Sequence, residues 1–125
     1  MVVDEEHHQP GILSAISLGG NVNGVQLLRR ETVEKIFEVQ CDGPDLVLAQ
    51  PPVRWGVGYG LPQRDTFPYV PDGKICFWGG WGGSWELMNP DHRATFAHVM
   101  NKMGPGIEGS ERTARYARLF YKTLG

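Results

Sequence analysis

The run at residues 78–85 has the clearest potential for chemistry in this sequence. It reads Trp-Gly-Gly-Trp-Gly-Gly-Ser-Trp, three tryptophans interleaved with four glycines. Glycine lets a ligand or another backbone approach to contact distance and leaves backbone N–H groups free to point at it. The same residues also suit a tight hairpin whose tryptophans pack in the core. The run therefore supports two interpretations, a shaped binding surface and a structural turn.

No other residues form a familiar catalytic constellation. None of the four serines is followed by lysine three residues later, and none lies in a Gly-x-Ser-x-Gly motif. His7 and His8 are expected to be a solvated pair, His92 an exposed turn residue, and His98 a buried histidine with its hydrogen bonds satisfied. The chain has no zinc-ligand spacing, P-loop or dinucleotide-binding turn. We therefore expect no metal and no cofactor.

Length and composition limit the class of protein. The chain has 125 residues and a net charge of −2, which predicts one small domain and argues against a nucleic-acid binder. Its cysteines, Cys41 and Cys76, are too few for a disulfide scaffold. No apolar run is long enough to span a membrane, and the acidic start does not resemble a signal peptide. We expect a cytoplasmic protein with no membrane partner.

Periodicity and turn residues predict the elements that would position the tryptophan-rich run. Residues 1–10 are expected to be a mobile leader and 11–125 one domain, with residues 41–53 a loop holding at most one brief strand. In 54–61, Trp55, Val57, Tyr59 and Leu61 are expected to share an apolar face opposite three glycines. Ser110 is the expected N-cap of the last helix. The predicted helices are 11–18, 30–40 and 111–124, and the predicted strands are 54–61, 74–80, 83–88 and 94–103. This is an α+β domain with three or four antiparallel strands.

Four segments in this order resemble the C-terminal part of the serine β-lactamase-like hydrolases. They are LLRRETVEKIFEVQ, PDLVL, RWGVGYGLP and FWGGWGGSWELMNPDHRATFAHVMNKMGPG. The pattern is most similar to family VIII carboxylesterases and to the class C β-lactamase and penicillin-binding-protein group, and it extends from about residue 11 to the end. The resemblance implies a partial β-lactamase/transpeptidase-like fold with its C-terminal helix packed on the sheet.

The resemblance also implies a site. Trp78, Gly79 and Gly80 match the family's Lys-Thr-Gly-like triplet in its W-x-G form, and the backbone N–H of Trp81 would be an oxyanion-hole donor. These four residues would bind an ester or lactam substrate without a metal or cofactor. The family's Ser-x-x-Lys and tyrosine motifs have no counterpart here, so we expect a truncated domain that is not catalytic alone. We expect its strand 94–103 to pair with a second copy or with an N-terminal segment of the same fold.

Two alternatives stay open at this point. The first is a small-ligand or protein-interaction module that uses the aromatic, glycine-rich face as a stacking platform. The platform would comprise Trp55, Tyr59, Trp78, Trp81 and Trp85. The second is a small enzyme of another type that uses His98 or Glu86.

Overall fold

A computed structural model describes residues 11–49, 51–106 and 109–125. The predicted leader and the histidine pair within it lie outside these residues. The helices and strands in chain order are α1 (Ser14–Ser17), β1 (Asn21–Val22), β2 (Val25–Gln26), α2 (Arg30–Ile36), β3 (Cys41–Pro44), β4 (Pro52–Trp55), β5 (Gly60–Leu61), β6 (Cys76–Gly79), β7 (Trp85–Asn89), β8 (Ala94–His98) and α3 (Glu111–Leu124).

An antiparallel sheet is the centre of the fold. Over the described residues it has six strands in the order β3-β4-β5-β6-β7-β8, and β1 and β2 form a separate hairpin. Strands adjacent in sequence are thus adjacent in space throughout the sheet. The structure confirms the predicted α+β class with a C-terminal helix, although the sheet has six strands rather than three or four.

The predicted single strand 54–61 is wrong, because a turn divides it into β4 and β5. The Gly56 N–H donates to the Tyr59 carbonyl at 2.9 Å, and Gly58 has a φ of +80°. In the resulting register Arg54 pairs with Leu61, and Trp55 pairs with Gly60. Paired residues share a face, so the apolar face predicted for Trp55 and Leu61 together does not exist.

Helix α2 ends at Ile36 instead of residue 40 because the backbone groups that would continue it form hydrogen bonds to residues of the segment 55–57 instead. The Ile36 carbonyl accepts from Val57 N–H at 3.2 Å, and Gln40 N–H donates to Trp55 at 2.7 Å. A continuing helix would have joined these two groups to each other. The chain after Gln40 then forms β3 along β4, where the sequence predicted a loop with at most one brief strand.

The remaining bounds also differ in length. Helix α1 is shorter than the predicted 11–18 and is closed by the Gly20 N–H, which donates to the Ala15 carbonyl at 2.6 Å. Strand β8 ends at His98 rather than residue 103, because the Met100 N–H turns away to the Ser84 hydroxyl at 3.3 Å. Strands β6 and β7 occupy Cys76–Gly79 and Trp85–Asn89, within or beside the predicted 74–80 and 83–88.

Two apolar clusters lie on opposite faces of the sheet. Alternation along β6 and β7 sends Phe77 and Leu87 into the cluster under α3, and it sends Cys76 and Met88 into the cluster under α1 and α2. Helix α3 has the bounds predicted from the sequence, and Ser110 is its N-cap in a capping box with Thr113. None of the helices described is long and apolar enough to cross a membrane.

Candidate functional site

The turn between β6 and β7 is built from the glycines of the tryptophan-rich run. The Gly80 N–H donates to the Ser84 carbonyl at 2.9 Å, and the Gly83 N–H donates to the Gly80 carbonyl at 3.1 Å. Gly82 and Gly83 have φ values of +102° and +113°, where side chains other than glycine are strained. The backbone conformation of the turn therefore requires glycine at positions 82 and 83.

A second segment holds this turn from outside. The Gly82 N–H donates to the Gly106 carbonyl at 3.1 Å, and the Gly104 N–H donates to the Gly82 carbonyl at 2.8 Å. Both polar groups of Gly82 are thereby fixed by residues that follow β8. The residue before it, Trp81, is held in place by a braced backbone.

Trp81 differs from the other residues of the turn in having neither a hydrogen-bond acceptor for its N–H nor a ring contact among the described residues. Its side chain is 61% exposed. Within the described ranges its backbone N–H donates to no acceptor, and no ring contacts its indole. A free N–H next to a rigid glycine turn is the kind of donor that can stabilise a developing negative charge on a ligand oxygen.

A cavity of 320 Å³ opens beside this turn. Trp78, Gly79 and Gly80 line it from β6 and the turn, and Leu13 lines it from the segment before α1. The full lining is Leu13, Trp78, Gly79, Gly80, Ser84, Trp85, Glu86, Ala97, His98 and Val99. Three of the four residues singled out from the sequence thus line one cavity, and Trp81 follows them directly. Leu13, Ala97 and Val99 carry no sequence signal that would have placed them here.

The Trp78 ring is held by close packing at the cavity edge. Its ring centroid lies 4.4 Å from that of Trp55, with the planes inclined at 45°. A Cβ on Gly60 would sit 3.2 Å from the Trp78 ring, so only glycine leaves room for the indole in its present position. The glycines of 54–61 were expected to leave a face without side chains, and other elements contact that backbone closely. The Trp78 ring lies against Gly60, and the Ile36 carbonyl oxygen lies against Gly56.

The five aromatic residues proposed as a stacking platform do not lie together. Trp85 is only 4% exposed and packs in the core beside Phe77, and Tyr59 packs against the other cluster. Trp55 and Trp78 contact each other, whereas Trp81 stands apart. The structure therefore leaves one aromatic pair, of which Trp78 but not Trp55 lines the cavity, rather than a continuous platform.

Burial raises the pKa values of three acidic groups on the face that carries the cavity. Desolvation raises the pKa of Glu86, and it also raises the pKa of Tyr59, with the Glu86 charge as a second cause. The same two causes raise the pKa of the Cys76 thiol to about 12. Cys76 is therefore a protonated core residue at neutral pH and not a nucleophile.

His98 and Glu86 cannot act as a pair, because the strand register sends them to opposite faces. Glu86 pairs with Trp78 and Ala97, whereas His98 pairs with Trp85. The His98 ring packs edge-on against Tyr116 of α3 at 4.9 Å. Its Nε2 is buried and has no partner among the described residues, so the expectation of a satisfied histidine is wrong. His92 is exposed in the β7–β8 turn, as predicted.

No group of three or more potential metal ligands occurs in the described part of the chain. Cys41 is exposed and Cys76 buried, and both are free thiols.

Comparison with known proteins gives a likeness in structure only. The chain matches no protein-family model and no curated protein at a significant level. It is similar to a novel penicillin-binding-protein homolog from Caulobacter crescentus, with a TM-score of 0.80 and 28% identity over 90% of this chain and 30% of that protein. It is also similar to a family VIII carboxylesterase, with a TM-score of 0.78 and 24% identity over 89% of this chain and 29% of that protein.

These matches define the class of fold. The chain has a β-lactamase/penicillin-binding-protein-like C-terminal fold, and its structural neighbours include a penicillin-binding-protein homolog and a carboxylesterase. It spans about 30% of the length of the solved structures it matches.

Proposed function

We propose that this chain forms one wall of the acyl-binding site of a β-lactamase-like serine hydrolase. In this proposal Trp78, Gly79 and Gly80 line the cavity for the acyl group, and the Trp81 N–H is one donor of the oxyanion hole. The observation that carries the proposal is the Trp81 N–H, which has no acceptor among the described residues and lies in a braced glycine turn next to cavity-lining Gly80. The likeness to a penicillin-binding-protein homolog and a carboxylesterase supports it.

The chemical task of this wall follows from its atoms. When a serine attacks an ester or lactam carbonyl, the carbonyl oxygen gains negative charge in the tetrahedral intermediate. A fixed N–H lowers the energy of that oxyanion without having to reorient, and removing one such donor costs about 10²–10³ in rate in serine hydrolases. The hydrogen bonds of Gly82 to Gly104 and Gly106 keep the Trp81 backbone in place for this role.

The nucleophile is not among these 125 residues. No serine here is followed by lysine three residues later, and the Ser84 hydroxyl accepts a hydrogen bond from Met100 N–H. We propose that the serine and its lysine come from another segment of the same fold, so that the wall is not catalytic alone. The partner would be an N-terminal segment or a second copy of the chain.

A fluorophosphonate probe tests the absence of a nucleophile. We expect the intact mass of the chain to be unchanged after exposure to the probe, with no turnover of p-nitrophenyl butyrate. A stoichiometric adduct on one serine, accompanied by turnover, would show that the chain contains a nucleophile of its own and would overturn this part of the proposal.

A titration with ethyl butyrate tests the wall itself, using amide and indole signals in ¹⁵N NMR spectra. We expect the Trp78 indole and the Trp81 N–H to shift together and saturably. Trp81→Ala should keep the response, because it retains the backbone donor, whereas Trp81→Pro removes that donor and should weaken binding. Circular dichroism of both variants checks that the fold is kept.

The presence of Trp78 in the cavity lining favours one second candidate, a small-ligand module that uses the same cavity without acyl chemistry. In the titration this module would shift the Trp78 indole while leaving the Trp81 N–H unchanged. Such a result would refute the oxyanion role and support the second candidate.

A further inference from the structure

The charge of the cavity has a single source in the described structure. Glu86 lies on β7 between Trp78 of β6 and Ala97 of β8, and paired residues of an antiparallel sheet project from the same face. All three line the 320 Å³ cavity, together with Leu13 and Val99. The Trp78 ring itself packs towards Trp55 of β4 and Gly60 of β5, on the side of β6 away from β7. The Glu86 carboxylate thus shares the cavity with aliphatic side chains.

Among the described residues the Glu86 carboxylate has no compensating charge. The cavity lining contains no lysine or arginine. The ion pairs Arg54–Asp42, Arg64–Asp72 and Lys74–Glu34 do not involve it. No hydrogen bond to the Glu86 side chain occurs in the same residues. Its raised pKa has burial as its cause, which agrees with a carboxylate that is partly removed from water and receives nothing in return.

A partly buried, unpaired carboxylate among aliphatic side chains is complementary to one kind of ligand group. An ammonium group would be attracted by the carboxylate, while an attached apolar body would contact Leu13, Ala97 and Val99. A ligand carboxylate would be repelled by Glu86, and no cation in the lining would offset that repulsion.

We propose that Glu86 makes this cavity selective for the charge of its ligand, so that it accepts apolar acyl or amine-bearing groups and rejects carboxylates. This inference rests on the proposed function, because it assigns the substrate class of the same acyl cavity. It implies that the hydrolase to which the wall belongs acts on neutral or cationic esters and discriminates against substrates with a carboxylate at this position.

Three ligands of matched shape test the inference on the chain as it stands: 3-phenylpropan-1-amine, 3-phenylpropan-1-ol and 3-phenylpropanoate. Binding is followed at the Trp78 indole signal in mildly alkaline buffer, so that Glu86 is ionised despite its raised pKa. We expect the amine to bind about two- to fivefold more tightly than the alcohol and the carboxylate to bind more weakly than both.

Glu86→Gln keeps the size of the side chain and removes its charge, so the amine and the alcohol should then bind alike. Glu38→Gln is the matched control, since Glu38 is exposed and lies outside the cavity. That variant should keep the wild-type order of affinities. An unchanged order in Glu86→Gln, or a carboxylate that binds as tightly as the amine, would overturn the charge selectivity.

The two proposals fail in different ways. If the alcohol shifts Trp78 and the Trp81 N–H but the three ligands bind equally, the wall stands and the role of Glu86 is refuted. If none of the three ligands shifts either residue, the cavity does not bind such groups and both proposals are overturned.

Discussion

Replacing Gly82 with alanine, with Gly80→Ala as the matched control, tests the braced turn on which the candidate site depends. Gly82 has a φ of +102°, and a Cβ there would lie 3.0 Å from the terminal methyl groups of Met100 and Met103. A Cβ on Gly80 would meet nothing within 4 Å, and its φ is not in the left-handed region. The two substitutions add the same methyl group to the same turn, so their difference isolates backbone conformation.

The magnitude follows from two opposing effects. Placing alanine in a sparsely populated conformation costs about 1–3 kcal/mol. Removing a glycine from the unfolded chain returns about 0.4–1 kcal/mol, an effect that both variants share. The methionine methyl groups are at the ends of flexible side chains and can move, so they add little. We therefore expect the free energy of unfolding of Gly82→Ala to lie about 1–3 kcal/mol below that of Gly80→Ala, with Gly80→Ala equal to the parent chain or slightly above it.

Urea denaturation followed by far-ultraviolet circular dichroism measures both variants. With a slope of about 2 kcal/mol per molar urea, the midpoint of Gly82→Ala should lie about 0.5–1.5 M below that of Gly80→Ala, and the midpoint of Gly80→Ala should equal or exceed that of the parent chain. The Trp81 N–H signal should move in Gly82→Ala, because Gly82 is the residue that fixes this backbone. Equal midpoints for the two variants would refute the argument that positive φ, rather than space, requires glycine here.

Three further predictions concern α3 and the buried acidic groups. Ser110→Ala should lower the free energy of unfolding by about 1 kcal/mol by removing the capping box with Thr113, and Ser110→Thr should retain most of it; equal loss in both would contradict the cap. A thiol reagent such as DTNB at mildly alkaline pH should label only Cys41 in the folded chain, because burial raises the pKa of Cys76 to about 12, and it should label both thiols in urea; two rapid labels without urea would contradict this burial. The free energy of unfolding should fall as pH rises above 9.0, since the unfolded chain loses the Cys76 proton there while the folded chain keeps it until about 12. Burial also raises the pKa of Tyr121, which acts in the same direction. Urea midpoints that stay constant across this range would refute the linkage.

Local sequence determined the parts of the fold that depend on near neighbours. Helix α3 could be predicted to its end residues because its cap, its apolar stripe and its following glycine all lie within 110–125. The β7–β8 hairpin could be predicted from the turn residues of 89–93, and the Arg93 φ of +51° closes that turn. Gly82 and Gly83 could be predicted as turn residues for the same reason, since a positive φ selects glycine wherever it occurs.

Tertiary structure alone decided which face of the sheet each residue occupies and how the strands align. In 54–61 the alternation of large residues and glycine has a period of two, yet the turn at Gly56–Tyr59 reverses the chain and separates Trp55 from Leu61. That turn is joined to the end of α2 by the bond from Val57 N–H to the Ile36 carbonyl, a contact between residues about twenty positions apart. No pattern within the segment could show it.

The candidate site divides in the same way. The sequence by itself placed Trp78, Gly79, Gly80 and Trp81 together, because they are consecutive. Whether Glu86 faces Trp78, and whether His98 faces Glu86, depends on how β6, β7 and β8 are aligned, and a shift of one residue would exchange the faces. The free Trp81 N–H likewise depends on hydrogen bonds that Gly104 and Gly106 make from beyond β8. The sequence determined which residues could form the site, and long-range pairing decided which of them share a cavity.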